Sequence, residues 1–558
     1  MHYSPIVPLT VGLAGLLSSL AITRGLFDPD YFWHLATGRL ILETGRIPSV
    51  DPFSFTWAGR PWIPDQWLAD VLLDLMRRWL GAGLTLLLFG ILAAAAIGIV
   101  GESVRRIGVH GTAIVAVSLL TAATLATQVT ARPQVLSFPL LALTIALLIG
   151  ARPERPRLLW LLPPIFLAWA NLHGFFVIGL GVGFVYLVAT FLGRTPMTSR
   201  RGVILGVAVA CLVATAITPS GPAGIAYALT FGDPNDWGAR NIAEWQSPNF
   251  HDPQFLPFLV SVVLLLVLGL RAVPGWLQVV GLVGVAAGLI AIRSIGVGAL
   301  MVMPALTFAL NRRLPHRRVQ PEQRGRRGVE IGAAVLFATS AVTFSLIRGP
   351  IGVGAGLPVA GVAALRAVDP GARVLARYGW GGYVIDELYP LGGRVFVDGR
   401  MHKYAPDVLA DYEAIVDADP RWELLVARYR VEAILLRVDT TLVKGIAQRA
   451  GWCEAYRDRV QVLLLRDCQR VNIGTVGQVP PDSVAENLIA PGRSIATSYM
   501  SRRGRHRTAA TPAASGAHED RSQATTAAAP PARMARGNQT TDGKMAMLPM
   551  EKTFGGIS

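Results

Sequence analysis

The sequence predicts a polytopic α-helical membrane protein: about eleven transmembrane helices with interfacial helices in the first outer loop, a small C-terminal α/β extracytoplasmic domain, and a disordered tail. Three observations predict it. The 558 residues are 52% hydrophobic and only 16% charged, where soluble domains carry roughly 25% charge. Apolar runs near the roughly 20 residues that cross a bilayer recur along most of the chain. After about residue 370 the composition changes to short β-type runs alternating with helical stretches. The net charge of +16 is no nucleic-acid footprint, because the arginines sit in loops and a tail without aromatic interleaving.

Residues 6–23 form the first span. Without a basic leader or a small-x-small cleavage site they read as an uncleaved anchor. Further apolar runs cover about residues 82–100, 111–130, 135–150, 157–172, 174–193, 202–218, 254–271, 275–292, 294–311 and 329–348. Arg105 and Arg106, Arg152 to Arg157, Arg194 to Arg201 and Arg312 to Arg327 fall in alternate loops. The positive-inside rule makes those loops cytoplasmic. The N-terminus is then cytoplasmic. Residues 24–81, 132–134, 171–174, 218–253, 293–294 and everything after about 349 lie outside. Arg39, Arg77 and Arg78 run against the rule, which long loops obey poorly.

In the first outer loop, Pro64-Asp65-Gln66-Trp67 opens a helix in which Leu68, Val71, Leu72, Leu75, Met76 and Trp79 recur at helical spacing and Gly81 is the stop. It is too short and too polar to span, so it reads as an interfacial amphipathic helix. A second, less regular one covers Phe32 to Leu42. The domains expected are 1–348 (transmembrane), 349–369 (linker), 370–468 (α/β) and 469–558 (basic low-complexity tail). β-type runs fall at 373–376, 382–385, 394–397, 431–436 and 460–465, with helices near 406–418, 420–429 and 440–450. Cys453 and Cys468 bracket a hairpin as either a disulfide or two thiols. Cys211 is a small core residue inside a span.

Polar residues gather on the outer side. Asp28, Asp30, His34 and Asp51 follow the first span; Arg132, Asn171, His173, Glu244 and Arg293 lie in later outer turns; Asp398 and Arg400 lie in the soluble domain. Singly each has a plain explanation: Asp28 or Asp30 caps a helix, Arg132 and Arg293 snorkel, Asn171 and His173 cap a hairpin. Together they match a chemistry. A carboxylate can take a proton from an attacking hydroxyl, arginines and a histidine can hold a phosphate leaving group, and interfacial helices can frame a groove for a lipid tail. An Asp pair, Asp28 and Asp30, can bind Mg²⁺ or Mn²⁺. The sequence has no zinc-ligand spacing and no P-loop.

The chain resembles the C-type glycosyltransferases, multi-span enzymes that use polyprenyl-phosphate sugars. More narrowly it resembles a bacterial group of uncharacterised integral membrane proteins. The residues that carry the likeness are Asp28-Pro29-Asp30-Tyr31-Phe32-Trp33-His34, Asp51-Pro52-Phe53-Ser54-Phe55-Thr56, Trp62-Ile63-Pro64-Asp65-Gln66-Trp67-Leu68 and Val397-Asp398-Gly399-Arg400. The resemblance implies a first-loop acidic residue as catalytic base or metal ligand, Asp30 ahead of Asp28, with His34 beside them. Arg132, His173, Asn171, Arg293, Glu244, Asp398 and Arg400 would bind substrate and carrier phosphate. The implied partners are the bilayer, a polyprenyl-phosphate-linked sugar, and a glycan or lipid acceptor. The acidic-acidic pair of O-mannosyltransferases and the Trp-Trp-Asp motif of oligosaccharyltransferases are missing, which argues against a protein acceptor. Two other classes remain: a multi-span transporter or flippase, and a non-catalytic envelope assembly protein. Convergence of the polar residues on one outer cavity would favour the enzyme, a midplane path the transporter, and scatter the scaffold.

Overall fold

The computed structural model describes residues 6–26, 28–230, 237–271, 273–314, 356–400, 403–446 and 451–466. These fall in one compact unit, Met1–Arg493; Ser494–Ser558 is a second unit. The expected span at 329–348, the partner Cys468 and the tail expected at 469–558 lie outside the described residues.

Every apolar run up to residue 311 forms a helix. The elements are α1 (Ile6–Arg24), α2 (Asp30–Thr44), α3 (Trp67–Arg106), α4 (Gly111–Leu125), α5 (Ser137–Ile149), α6 (Leu162–Leu172), α7 (Phe176–Phe191), α8 (Arg201–Thr215), α9 (Ala223–Thr230), α10 (Trp237–Asn241), α11 (Leu256–Leu268), α12 (Gly275–Ile290) and α13 (Ile295–Arg313). Among the described residues, four helical segments are long and apolar enough to cross a membrane: Ile6–Arg24, Trp67–Arg106, Pro196–Thr215 and Ile292–Arg313. Most of the other apolar helices are shorter, 10–17 residues. Prolines shape their starts: Pro133, Pro156, Pro196 and Pro253 each open a 3₁₀ turn leading into a helix, where a missing N–H costs nothing.

The interfacial helix and the following span are one continuous element, α3, broken in conformation at Gly81 (φ 71°, ψ 178°). A side chain would find open space there, so glycine is required for its backbone angles and not for room. Helix α2 lies against the first turns of α3. A Cβ at Gly38 would sit 2.1 Å from the Asp70 carbonyl oxygen, so the missing side chain is what lets the two backbones touch.

The C-terminal part carries a five-stranded sheet ordered β2-β1-β3-β5-β4: β1 (Arg373–Ala376), β2 (Arg394–Val395), β3 (Ala433–Arg437), β4 (Trp452–Arg457) and β5 (Gln461–Arg466). β1 pairs in parallel with β2 and β3, while β5 is antiparallel to both β3 and β4. Helices Pro406–Val416, Trp422–Arg428 and Thr441–Ile446 connect the strands. The run Gly382 to Ile385, expected as a strand, is instead part of the helix Gly381–Leu388. Four apolar residues carry no period of their own, and Tyr383, Val384 and Ile385 are all buried. The glycines decide it: a Cβ at Gly382 would lie 2.2 Å from the Pro29 carbonyl oxygen, so this helix start is pressed against the entry to α2.

The first outer loop joins the sheet. Phe55 N–H donates to Val395 O at 3.0 Å and Val395 N–H to Phe53 O at 3.1 Å, so the loop becomes a further edge beside β2. The arginines that defied the loop-charge rule have local partners. Arg39 and Arg77 both pair with Asp386, and Arg77 and Arg78 with Asp74. Arg39 and Arg77 thereby tie the helices to the soluble part, while Arg78 pairs within α3.

Candidate active site

Helical spacing places Asp30, Trp33 and His34 on one face of α2, and all three line a cavity of about 180 Å³. Asp28 Oδ1 accepts the Asp30 N–H at 3.1 Å, so the capping role expected of this Asp is present. Its other oxygen forms an ion pair with Arg132 Nε. The same guanidinium reaches Asp30 (Nη2 to Oδ2, 3.1 Å) and Glu244 (Nη1 to Oε2, 2.5 Å). One arginine, from the turn before α5, thus gathers carboxylates 102 to 112 residues away in sequence.

Three carboxylates share that guanidinium, and the electrostatics follow. Burial, aided by Asp30 and Glu244, pushes the Asp28 carboxyl up to about 6 against the pull of Arg132. Burial also raises Asp30, again opposed by Arg132. Glu244 is held below its usual value: burial opposes this, but Arg132 and Arg293 outweigh it. Burial disfavours the charge on Arg132, yet Asp28, Glu244 and Asp30 keep it firmly protonated.

The opposite side of the cavity holds His173 and Arg293. His173 Nδ1 accepts the Phe175 N–H at 3.2 Å and lies 3.1 Å from Ser137 Oγ, which itself accepts Trp169 Nε1–H. With Nδ1 accepting, the neutral ring carries its proton on Nε2. Burial, together with Arg293 and Arg132, keeps the ring neutral. Arg293 stacks 4.8 Å from the Trp245 ring and forms no ion pair among the described residues. Buried polar atoms on lining residues without a hydrogen-bond partner among the described residues include Arg293 Nε, Gln134 Oε1 and Tyr378 Oη. Buried polar groups are nearly always bonded, so these atoms call for water or a polar ligand.

The other expected residues lie elsewhere or are engaged. Asn171 is off the cavity lining and bridges elements, accepting Trp67 Nε1–H at 2.8 Å and donating to Leu167 O and Ile217 O. Asp398 is also off the lining. Arg400 lines the cavity, but its guanidinium is spent on a fork to Asp398 (2.8 and 2.7 Å) and a bond to Asp51 at 3.0 Å. It stacks between Phe53 and Trp62 at 4.7 and 4.5 Å. Lys403 adds 2.8 Å to Asp51, and Tyr404 Oη donates to Asp398 at 2.7 Å. This is a buried rivet between loop and sheet. It brings Gly399 against Asp30, where a Cβ would sit 2.0 Å from Asp30 Oδ1.

Sequence reading missed Asp65, Asp70, Gln134 and Tyr378, all cavity-lining. Asp65 was taken for a helix opener; burial pushes its carboxyl up to about 6, an unusual value for an N-terminal Asp. As a Mg²⁺ or Mn²⁺ site, Asp28 and Asp30 fit poorly, since the Arg132 fork is bonded to both and a cation would have to displace it. Among the described residues no three His, Cys, Asp or Glu side chains are grouped to hold a metal.

No protein-family model and no curated protein matches the chain by sequence. Solved structures do match. The archaeal oligosaccharyltransferase AglB from Archaeoglobus fulgidus, in complex with an inhibitory peptide and a dolichol-phosphate, superposes with TM-score 0.53 at 12% identity, over 77% of this chain and 69% of that one. The chain shares the fold of that solved enzyme. The apo form of the Archaeoglobus fulgidus enzyme gives TM-score 0.51 at 12% identity over the same shares. ArnT from Cupriavidus metallidurans gives 0.47 at 16% identity, over 84% of this chain and 98% of that one. In this chain the charged cavity is assembled from helix ends and the loops between them.

Proposed function

We propose that the protein is a membrane glycosyltransferase that moves a sugar from a polyprenyl-phosphate donor to an extracytoplasmic acceptor, a glycan or a lipid. The single observation that carries this is convergence: Asp30, Arg132, His173, Glu244 and Arg293, from five separate stretches, line one cavity. Arg293 offers a fork with no competing carboxylate bonded to it, and His173 offers Nε2–H; together they suit the carrier phosphate. Of the two first-loop aspartates, Asp30 faces the cavity while Asp28 braces Arg132 from behind. Asp30 therefore receives the incoming hydroxyl, as its hydrogen-bond acceptor or its base. The sheet closes the site through Tyr378, Gly379, Gly399 and Arg400. A midplane charge path, which a transporter needs, is not what these residues form; they gather at helix ends. Orientation in a bacterial plasma membrane, with this cavity on the outer side, belongs to the same reading.

The test is sugar transfer by purified protein in nanodiscs, from a panel of polyprenyl-phosphate sugars, comparing wild type with Asp30→Asn and Asp28→Asn. Wild type should transfer at least one sugar and Asp30→Asn should lose most of that rate. Equal turnover by both variants would remove the first-loop aspartates from the reaction.

A further inference from the structure

Six aspartates are buried among the described residues: Asp28, Asp51, Asp70, Asp74, Asp386 and Asp398. Five of them meet an arginine or lysine. Asp70 alone does not. Its one side-chain partner is His34, with Nδ1 2.5 Å from Oδ1, and its Oδ2 is buried without any partner. A buried carboxylate without a cation is expensive, so this one calls for a reason.

We propose that Asp70 and His34 carry the proton of the transfer reaction: His34 Nε2 receives it from the acceptor hydroxyl, and Asp70 is the positioning residue that holds the ring. This rests on the sugar-transfer reading and deepens it. His34 lines the cavity through the same helix face as Asp30, and Nε2 makes no hydrogen bond among the described residues. With Nδ1–H given to Asp70, Nε2 is the lone-pair nitrogen and is free to accept. Burial keeps the ring neutral, reinforced by the cations that face it, Arg132, Arg293 and Arg400, with His173 beside them. A neutral ring has its lone pair available at ordinary pH. Burial raises the Asp70 carboxyl well above its usual value, so Asp70 and the ring share a proton, and Asp70 is the adjacent group that can take up the charge of a protonated ring. Asp30 is less suited to keep the proton, because protonating it loosens the Arg132 fork that also holds Asp28 and Glu244. Asp30 then serves to orient the hydroxyl.

The step balances without a further reactant. The acceptor O–H breaks and its proton passes to His34 Nε2. The oxygen's electron pair forms the bond to the anomeric carbon. The bond from that carbon to the phosphate oxygen breaks, and its pair departs with the lipid phosphate. The proton then leaves His34 to water.

The competing explanation is a staple, since α2 and α3 touch at Gly38 and a His–Asp bond could merely pin them. Transfer assays on the full chain in nanodiscs separate the two, with polyprenyl-phosphate binding measured on each variant as a check of folding. His34→Ala should lose about 10²–10⁴-fold, the range for a general base, and added imidazole should restore at least tenfold. His34→Gln, which can keep a bond to Asp70, should stay inactive. Asp70→Asn should lower kcat by about 10²-fold or more with little change in KM, because the amide fixes the wrong tautomer. Turnover retained by His34→Gln or Asp70→Asn, or a binding-competent His34→Ala that imidazole fails to restore, would overturn the dyad while wild-type transfer stands. A wild type that transfers no sugar at all overturns the parent reading, and the dyad with it.

Discussion

The rivet of Asp51, Asp398, Arg400 and Lys403 can be tested without any substrate, through Asp398→Asn. In the native protein two carboxylates balance two cations, and the Arg400 and Asp398 side chains are 3% and 0% exposed. The substitution preserves shape but leaves a net positive charge in a site closed to water. Breaking a buried pair from one side costs about 3–5 kcal/mol. Asparagine retains one acceptor oxygen, which Tyr404 Oη–H and Arg400 Nη2–H can still share, and this places the loss near the lower end, about 3 kcal/mol. At roughly 2–4 °C per kcal/mol for a domain of 150–250 residues, the melting temperature in detergent should fall by about 6–12 °C. A paired Asp398→Asn, Arg400→Met protein should recover part of the loss, since it removes the stranded charge. The pH dependence has a defined sign. Burial opposes ionisation of Asp398, but Arg400 and Lys403 outweigh it and hold the carboxyl well below its usual value. Its contribution is therefore present above the unfolded value near 4 and is lost as pH falls through the folded one. Lys403 behaves in the opposite sense: burial and then Arg400 depress it to about 8 despite its two aspartates. The unfolded chain binds more protons between about 8 and 10.4, so stability should rise with pH across that window. An Asp398→Asn protein melting within 1 °C of wild type at neutral pH, or a double variant worse than the single, would refute the rivet.

Three further outcomes are expected. Arg293→Met should weaken binding of a polyprenyl phosphate by about 10–150-fold, the equivalent of one charged hydrogen bond at about 1.5–3 kcal/mol, measured by tryptophan quenching; unchanged affinity would place the phosphate elsewhere. Burial sets Asp65 near 6, so it becomes neutral as pH falls below that value and removes a negative charge facing Arg293; affinity for a lipid phosphodiester should rise across pH 7 to 5, and Asp65→Asn should lose that part of the slope. Gly399→Ala should cut kcat by about 10²-fold, the scale of a 1 Å misplacement, because its Cβ would fall 2.0 Å from Asp30 Oδ1; wild-type kcat in a folded variant would show that the sheet does not set Asp30.

Much of this protein was determined by local pattern. The apolar runs became α1, α3 to α8 and α11 to α13, Gly81 broke the helix where predicted, and the 460–465 run became β5, because chain-local periodicity and turn chemistry decide such elements. The grouping of Asp30, Arg132, His173, Glu244 and Arg293 followed from loop alternation, which places these turns on one side. Tertiary structure decided the rest. The Gly382 run folded as helix because Pro29 presses against it, a contact no local window contains. Asp398 and Arg400 proved to be a rivet, since a DGR turn reads the same whether its charges meet a ligand or each other. In sequence Asp70 is a first-turn acid of α3. Only the packing of α2 on α3 at Gly38 buries it against His34, without an ion pair to any arginine among the described residues. Which charges are paired depends on neighbours hundreds of residues away, and that information exists only once the chain has folded.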